Sequence, residues 1–271
     1  MKSLFDIKDK VVIVTGATGV LAGATAKYLA QNVAKVAFLG RNKEKLDEAR
    51  KFCESNGLCG MACECDVLNR PALESVREKV LGEWGTIDAI VNGAGGNQAG
   101  AVIQPDQSFF DLDVEAWNSV FKLNLQGTIL PIIVFGEVFR ETKKGAIVNF
   151  SSMTAQQAVT RVLGYSNAKA AIDNLTKWLA VEFAKKIGSG VRVNAVAPGF
   201  FLSEQNRALL TNPDGSLTSR GDDIIKNTPF GRFGEADEVF GAVHYLCSDA
   251  SKFVTGTVLP IDGGFSCFSG V

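Results

Sequence analysis

The sequence predicts an α/β protein with a doubly wound parallel sheet of seven strands and helices on both faces. Short apolar runs alternate with helical segments of ten or more residues from end to end of the sequence. Strands that are apolar throughout, rather than at every second position, are typical of parallel sheets covered on both sides. No repeat, low-complexity tract or linker interrupts the 271 residues, a length that one α/β domain can reach. A single domain over 1–271 is therefore expected.

The elements follow one another in a regular order. The first apolar run ends at Thr15-Gly16, and small and apolar residues from Gly23 to Leu29 continue it as a helix. Further helices are predicted over 42–54, 113–140 and 163–187, and strands over 11–14, 36–39, 61–65, 87–91, 146–150, 191–196 and 258–261. The irregular, polar stretch at about 200–230 is expected to be a loop or helical lid over the functional site.

Composition and charge narrow the class of partner. Lys and Arg number 28 against 29 Asp and Glu, which leaves a net charge of −1. This balance gives no reason to expect nucleic acid or a membrane as partner, so a small molecule is expected. The first residues lack the apolar segment of a secretion signal, which favours a cytoplasmic protein. The six cysteines form no Cys-x-x-Cys pair and His244 is the single histidine, so no metal site is predicted.

A glycine-rich turn follows the first strand. The segment TGATGVLAG, residues 15–23, leads from an apolar run directly into a helix. Glycine lets the backbone turn sharply and approach a pyrophosphate, and the helix N-terminus supplies N–H groups and a positive dipole end. An ordinary turn between strand and helix needs only one glycine. The cluster at this place therefore predicts a dinucleotide site.

The end of the second strand bears on which nicotinamide cofactor fits. An acid there would bind the ribose 2′-hydroxyl of NAD, whereas an arginine can neutralise the 2′-phosphate of NADP. The sequence has Leu39-Gly40-Arg41-Asn42 and no acid. Arg41 therefore favours NADP, while a solvated or adenine-stacking Arg41 would leave NAD possible.

Tyr165 and Lys169 form a candidate reacting pair. They lie four residues apart in a predicted helix and so share one face. A cation beside a phenol favours the phenolate, so Lys169 is expected to lower the pKa of Tyr165 and make it a proton donor or acceptor near neutral pH. The Tyr-x-x-x-Lys pattern alone is common by chance, and the surrounding residues decide its meaning.

Motifs along essentially the whole sequence resemble those of the short-chain dehydrogenase/reductase family. These are Asn92-Gly93-Ala94-Gly95 after the fourth strand, Asp66 after the third, Asn124, Ser152 thirteen residues before Tyr165, Pro198-Gly199 and Asp262-Gly263-Gly264. The resemblance implies a Rossmann fold and an NAD(P)-dependent oxidoreductase that interconverts a ketone and a secondary alcohol.

The resemblance also implies residue roles. Ser152 would hydrogen-bond the substrate oxygen while Tyr165 exchanges its proton, and Lys169 would hold the nicotinamide ribose. Asn124 would position a water that relays protons from Lys169 to solvent. The implied cofactor contacts are Gly16, Thr18, Gly19, Val20, Leu21, Arg41, Asp66, Val67, Asn92, Gly93, Ala94, Gly95, Tyr165, Lys169, Pro198, Gly199 and Phe201.

Two departures from the family pattern stand near the cofactor turn. Val20 and Ala22 occupy positions where the pattern has glycine, and glycines stand instead at 16, 19 and 23. Gly93 replaces an asparagine, which removes a side chain beside the adenosine ribose. The contacts of Gly19, Val20 and Leu21 with the cofactor are therefore not carried over directly.

The substrate is expected to contact the irregular segment after Pro198-Gly199. Residues 200–210, 228–234 and 264–271 resemble those of the D-mannonate oxidoreductases within this family, also called fructuronate reductases, which implies interconversion of D-fructuronate and D-mannonate. A sugar acid needs several hydrogen-bond partners and a cation for its carboxylate. Besides Ser152 and Tyr165, the candidates are Asn97, Gln156, Gln205, Asn206 and Arg207, with Arg161 a further candidate cation.

Other functions remain open from the sequence. A gluconate 5-dehydrogenase or another polyol dehydrogenase would share the reacting centre and differ in the lid. A 3-oxoacyl carrier-protein reductase is disfavoured by the polar run Glu204-Gln205-Asn206-Arg207, and a nucleotide-sensing regulator would not need Ser152, Tyr165 and Lys169 together. The family resemblance further implies a homotetramer, or a dimer, formed through the helices near 113 and 163 and the last strand.

Overall fold

A seven-stranded parallel sheet forms the centre of the computed structural model, which describes residues 3–202 and 206–270. The strand order is β3-β2-β1-β4-β5-β6-β7. The strands are β1 (Val11–Thr15), β2 (Lys35–Gly40), β3 (Gly60–Glu64), β4 (Ala89–Asn92), β5 (Gly145–Phe150), β6 (Val191–Pro198) and β7 (Val258–Ile261). The predicted α/β class and the seven parallel strands are confirmed.

Helices connect successive strands. They are α1 (Val20–Gln31), α2 (Lys43–Ser55), α3 (Arg70–Trp84), α4 (Val114–Phe121), α5 (Gly127–Gly136), α6 (Phe139–Thr142), α7 (Leu163–Lys186), α8 (Arg207–Leu210), α9 (Ser219–Lys226) and α10 (Phe240–Cys247). Their starts follow from local chemistry: the Asn42 side chain accepts from the backbone N–H of Lys45 at the start of α2, and Asn69 does the same for Ala72 at α3.

The first strand shows how the sheet packs against helices on both faces. Val12 and Val14 of β1 lie in one buried cluster with residues of α1, α2 and α10. Val11 and Ile13 lie in a second cluster with residues of α3, α5 and α7. Neighbouring residues of one strand thus face opposite layers, which is why the sequence has unbroken apolar runs rather than alternation.

The fourth strand begins later than the sequence indicates. A strand over 87–91 is predicted, and Ile87 is indeed buried, but β4 covers Ala89–Asn92. The Asp88 carboxylate accepts a hydrogen bond from the backbone N–H of Val11 at 2.8 Å. The side chain of Asp88 therefore satisfies the first backbone N–H group of β1.

The long helix predicted over 113–140 is interrupted. A π-helical turn, Lys122–Gln126, separates α4 from α5 and contains Asn124. The combined stretch Val114–Gly136 has a mean hydropathy of 1.3 in its most apolar window and is long enough to cross a membrane. Half of that window is buried inside the protein, as in the core helix of a globular fold.

A buried cation joins β6 to the helix beside it. Arg192 is 7% exposed. Its guanidinium donates to the carbonyls of Leu246 and Ser248, at 2.9 and 3.1 Å, and to the Ser251 hydroxyl at 2.7 Å. These acceptors lie around the C-terminal end of α10, where a positive charge is favourable.

The irregular segment after β6 contains two short helices. The carbonyl of Leu210 in α8 lies 2.1 Å from where a Cβ on Gly221 of α9 would be, so only glycine permits this contact. Thr211 and Leu217 form an isolated antiparallel bridge between the two helices. The segment thus packs as a helical pair beside the functional cleft, and its role as a lid is a proposal.

Candidate active site

A cleft lies at the carboxyl ends of the central strands. The order of the strands reverses across the sheet between β1 and β4, and such switch points open a crevice in doubly wound folds. The cleft has a volume of about 310 Å³. Its lining includes these predicted residues: Thr18, Gly19, Val20, Leu21, Gly93, Gly95, Ser152, Tyr165, Lys169, Pro198, Gly199, Phe201 and Asn206.

A second cavity of about 200 Å³ adjoins the same glycine turn. It extends toward the ends of β2 and β3, where the family places the adenosine. Its lining contains the predicted residues Gly16, Thr18, Gly19, Arg41, Asp66, Val67, Gly93, Ala94 and Gly95. The structure thus brings together the predicted contacts from four separate stretches of sequence.

Neighbouring backbone segments come so close to the turn that two of its positions must be glycine. Gly16 has φ +66°, and a Cβ there would lie 2.6 Å from the carbonyl oxygen of Gly93. A Cβ on Gly23 would lie 2.7 Å from the carbonyl oxygen of Ala17. Gly19 is the N-cap of α1, and the first residues of this helix line the cleft. The backbone N–H groups at the start of a helix have no partner within the helix. A pyrophosphate fits this bare backbone.

The two departures from the family pattern compensate each other. A Cβ on Gly93 would lie 2.4 Å from the Cβ of Ala22, far inside van der Waals contact. The methyl group of Ala22 therefore fills the space that a side chain at 93 would need. The glycine at position 93 and the methyl group at position 22 therefore belong to one packing arrangement.

We expect Gly93→Ala alone to destabilise the protein and weaken cofactor binding, because its Cβ collides with Ala22. Adding Ala22→Gly should restore part of both losses, with a coupling energy on the order of 1–3 kcal/mol. Chemical denaturation of the two single variants and the double variant measures this coupling. Additive effects of the two substitutions would contradict the compensation.

Asn92 lies beneath the cleft rather than in its lining. Its side-chain amide donates to Asn149 Oδ1 at 2.9 Å, and Asn149 donates to Thr176 Oγ1 at 2.9 Å. These three buried side chains link β4, β5 and α7. The lining of neither cavity described above includes Asn92, so its contact with the cofactor stays a prediction.

Tyr165, Ser152 and Lys169 meet at one wall of the cleft. The side chains of Tyr165 and Ser152 both line the cleft, and interaction with the Ser152 hydroxyl lowers the pKa of the Tyr165 phenol. Lys169 lies one turn along α7, and its Nζ is 5.3 Å from the centre of the Tyr165 ring. Lys169 is 4% exposed and donates to the carbonyl of Phe150 at 2.7 Å. The shared helical face predicted for Tyr165 and Lys169 is present.

Burial determines the protonation of this pair. Desolvation lowers the pKa of Lys169 to about 8, an effect that the Asp173 carboxylate partly opposes. Desolvation raises the pKa of Tyr165, and its interaction with Ser152 only partly offsets this. The sequence-based prediction of a lowered Tyr165 pKa is therefore wrong for the protein without cofactor. Removing the phenolate from water costs more than the nearby ammonium returns.

The side chain of Asn124 is hydrogen-bonded to backbone groups. Its Nδ2 donates to the carbonyls of Gly96 and Val120, both at 2.8 Å, and its Oδ1 accepts from the N–H of Gly96 at 3.1 Å. A Cβ on Gly95 would lie 2.5 Å from that Oδ1. Asn124 thus clamps the loop after β4, and its Oδ1, which accepts one hydrogen bond, keeps a second lone pair, so the predicted water stays a prediction.

The structure brings only some of the predicted substrate residues to the cleft. Asn206 lines the cleft and donates to the carbonyl of Phe201 at 2.8 Å. Asn97, Gln156 and Arg207 are exposed, and Gln156 donates to the Asp173 carboxylate at 3.4 Å. Gln205 lies outside the described residues. The lining of the cleft described above does not include Asn97, Gln156 or Arg207, so their predicted substrate contacts remain proposals.

Two features of the site escape sequence analysis. Lys45 of α2 lines the cleft, although nothing in its charged helical segment sets it apart. Ser151 donates a short hydrogen bond to the Asp173 carboxylate, which is 8% exposed and lies one turn beyond Lys169. The i+4 spacing of Lys169 and Asp173 is visible in the sequence, but their burial is not.

Comparison with known proteins identifies the family. A family model described as enoyl-(acyl carrier protein) reductase matches residues 16–266. The uncharacterized oxidoreductase UxuB of Bacillus subtilis is 42% identical over 275 residues, covering 98% of both proteins. The protein belongs to the short-chain dehydrogenase/reductase family. It is therefore an oxidoreductase that acts on an alcohol or ketone.

Solved structures of other short-chain dehydrogenases/reductases have the same fold. A Haemophilus influenzae protein, provisionally assigned as a D-mannonate oxidoreductase and with bound NAD, is similar with a TM-score of 0.90 and 42% identity, covering 98% of both proteins. A gluconate 5-dehydrogenase from Burkholderia cenocepacia, in complex with NADP and tartrate, has a TM-score of 0.84 and 29% identity, covering 97% of both proteins. Nicotinamide dinucleotides thus occur in members of this fold family in both forms.

Proposed function

We propose that this short-chain dehydrogenase/reductase interconverts D-fructuronate and D-mannonate with a nicotinamide cofactor. The observation that carries the chemistry is that Ser152, Tyr165 and Lys169 line one cleft beside the glycine turn, with the Lys169 ammonium 5.3 Å from the centre of the tyrosine ring. In balanced form, the ketone, the reduced cofactor and one proton give the secondary alcohol and the oxidised cofactor. The cofactor supplies or accepts the hydride.

The residues of the cleft would handle the substrate oxygen and its proton. Ser152 would donate a hydrogen bond to the oxygen as negative charge develops on it, and Tyr165 would transfer the proton. Lys169 would hold the nicotinamide ribose. Asn124 would fix the loop after β4 and so keep Gly95 and Gly96 in place beside the cofactor.

At neutral pH both Tyr165 and Lys169 carry their protons. A phenol whose pKa is raised stays protonated and can donate to the substrate oxygen when a ketone is reduced. The ammonium of Lys169, with a pKa of about 8, keeps its charge at neutral pH and loses it in mildly alkaline solution.

The proposed cofactor is NAD(P)(H), with a preference for NADP. Arg41 lines the cavity at the end of β2, where a 2′-phosphate would lie, and the described residues of that lining include no acid except Asp66 after β3. The relatives described above carry NAD in one case and NADP in the other. Arg41 is the residue on which the preference for NADP rests.

A sugar acid is the proposed substrate class. The similar Haemophilus influenzae protein and the resemblance of residues 200–210 and of the C-terminal segment support D-fructuronate and D-mannonate. A gluconate 5-dehydrogenase is the second candidate, since a solved relative with that activity has the same fold. A homotetramer or dimer is proposed as well, because Ile133 on α5 and Trp178 and Val181 on α7 are large apolar side chains that are about half exposed.

A panel of keto and hydroxy sugar acids, assayed with NADH and NADPH in parallel, tests this proposal. We expect reduction of D-fructuronate and oxidation of D-mannonate, with a higher kcat/KM for the phosphorylated cofactor. Arg41→Ala should lower kcat/KM for NADPH and leave that for NADH nearly unchanged. Turnover of 5-ketogluconate without turnover of fructuronate or mannonate would move the assignment to the second candidate.

A further inference from the structure

Arg220 joins the helical pair after β6 to the segment before α7 that contains Arg161. Arg220 of α9 donates from Nη1 to the Thr160 hydroxyl and from Nη2 to the Thr160 carbonyl, both at 3.3 Å. Arg161 follows Thr160 directly in the sequence. Arg220 thus fixes α9 to the very segment that leads, four residues later, to Tyr165.

The backbone of Arg161 is held in an uncommon conformation. Its φ is +76°, in the left-handed region that residues other than glycine seldom adopt. Its carbonyl accepts a hydrogen bond from the N–H of Ile103 at 3.1 Å, in the loop between β4 and α4. Such strain persists only where surrounding contacts maintain it, and it is concentrated at functional sites.

The charges of the two arginines are not neutralised by a salt bridge in the described residues. Both side chains are partly buried. Burial, and then the charge of Arg161, lower the pKa of Arg220, while Asp223 on the same helix opposes this. Within residues 3–202 and 206–270, no salt bridge to Arg161 or Arg220 occurs. Two neighbouring cations of this kind favour the arrival of an anion.

We propose that Arg161 and Arg220 form the subsite that binds the carboxylate of the substrate. The proposal rests on the proposed function, because it assigns a place to the charged end of a sugar acid. A guanidinium pair can take the two carboxylate oxygens in a forked arrangement. Arg161 lies four residues before Tyr165, and the ketone end of the same molecule would extend from the pair into the cleft, whose lining described above includes neither arginine.

Of the two sequence-based candidate cations, this assignment takes Arg161 rather than Arg207 and adds Arg220. Arg207 is exposed at the first residue of α8. The Arg220 side chain, in contrast, is held by its two hydrogen bonds to Thr160, so less of its freedom is lost when the anion binds. Sequence distance hides the pair, because 59 residues separate Arg161 from Arg220.

Substrate kinetics with a charged and a neutral ketose test the proposal. Wild type, Arg161→Gln, Arg220→Gln and the double variant are compared with D-fructuronate and with D-fructose, in which a hydroxymethyl group replaces the carboxylate. We expect each single variant to raise KM for fructuronate roughly 10- to 100-fold with little change in kcat. Kinetic constants for fructose should stay within about twofold. The double variant should lose less than the product of the two single effects.

Matched variants separate a subsite from general damage. Lys226→Gln removes an exposed cation from the same helix, where it pairs with Asp222, and should leave both substrates unaffected. Equal losses for fructuronate and fructose in the arginine variants would overturn the proposal and indicate a structural role. A loss confined to Arg207→Gln would overturn it as well and place the carboxylate at α8.

Binding without turnover distinguishes failure of the subsite from failure of the proposed function. Calorimetric titration with D-gluconate, a hydroxy acid, measures carboxylate binding directly. If wild type reduces no keto sugar acid but binds gluconate, and both arginine variants lose that binding, the subsite stands and only the substrate changes. If wild type reduces fructuronate and the variants keep their KM, the function stands and the subsite is wrong. If wild type shows neither activity nor binding, the subsite is wrong too.

Discussion

Tyr165→Phe is expected to lower kcat for ketone reduction by roughly 10²–10⁴-fold, the range that general acid catalysis contributes. The substitution removes one oxygen atom, the group that would deliver the proton. The aromatic ring that Lys169 faces at 5.3 Å remains, so the packing of α7 should be preserved. Steady-state kinetics with the preferred ketose measures the loss.

Cofactor binding provides the control for this variant. Fluorescence titration with the reduced cofactor should show that Tyr165→Phe still binds it, because all the other predicted cofactor contacts remain. Ser152→Ala should cost less than Tyr165→Phe, since it removes a hydrogen bond to the developing charge and leaves the proton donor in place. Undiminished turnover in Tyr165→Phe would refute the proposed chemistry.

Arg192→Met is expected to destabilise the fold on the order of 3 kcal/mol. The change leaves the carbonyls of Leu246 and Ser248 and the hydroxyl of Ser251 without their charged donor in the buried interior. Relief from burying the guanidinium, whose pKa is lowered mainly by desolvation, offsets part of the loss. The free energy of unfolding, measured in urea at fixed protein concentration, tests this expectation.

Arg50→Met is the matched control. Arg50 is an exposed residue of α2 that pairs with Glu54 one turn away, and such pairs contribute little to stability. Little change in the free energy of unfolding is therefore expected for this variant. Similar unfolding free energies for the Arg192 and Arg50 variants would show that the buried network contributes no more to stability than an exposed ion pair.

The sequence predicts the scaffold well because the scaffold depends on local patterns. Runs such as 11–14 and 36–39 are apolar at every position since both faces of the sheet are covered, and they correspond closely to β1 and β2. The glycines at 16 and 23 likewise mark backbone contacts that no side chain permits. Spacing along one helix was sufficient to place Tyr165 and Lys169 on a common face.

Contacts between distant parts of the sequence could not be predicted in this way. Ala22 and Gly93 look like two independent departures from a family pattern, yet in the fold they fill one space. Arg161 and Arg220 become neighbours only when α9 packs beside the segment before α7. The raised pKa of Tyr165 follows from burial, which a motif does not reveal, and the amide of Asn124 is occupied by backbone groups of a loop that lies 28 residues away.

The most direct measurement of the central claim follows the hydride itself. The protein is incubated with D-fructuronate and reduced cofactor that carries deuterium at the transferable position, and the product is examined by NMR and mass spectrometry. We predict D-mannonate with a single deuterium at the carbon that was the ketone, and no such product with Tyr165→Phe over the same time. An unlabelled product, or unchanged fructuronate under conditions where a neutral ketose is reduced, would contradict the proposed function.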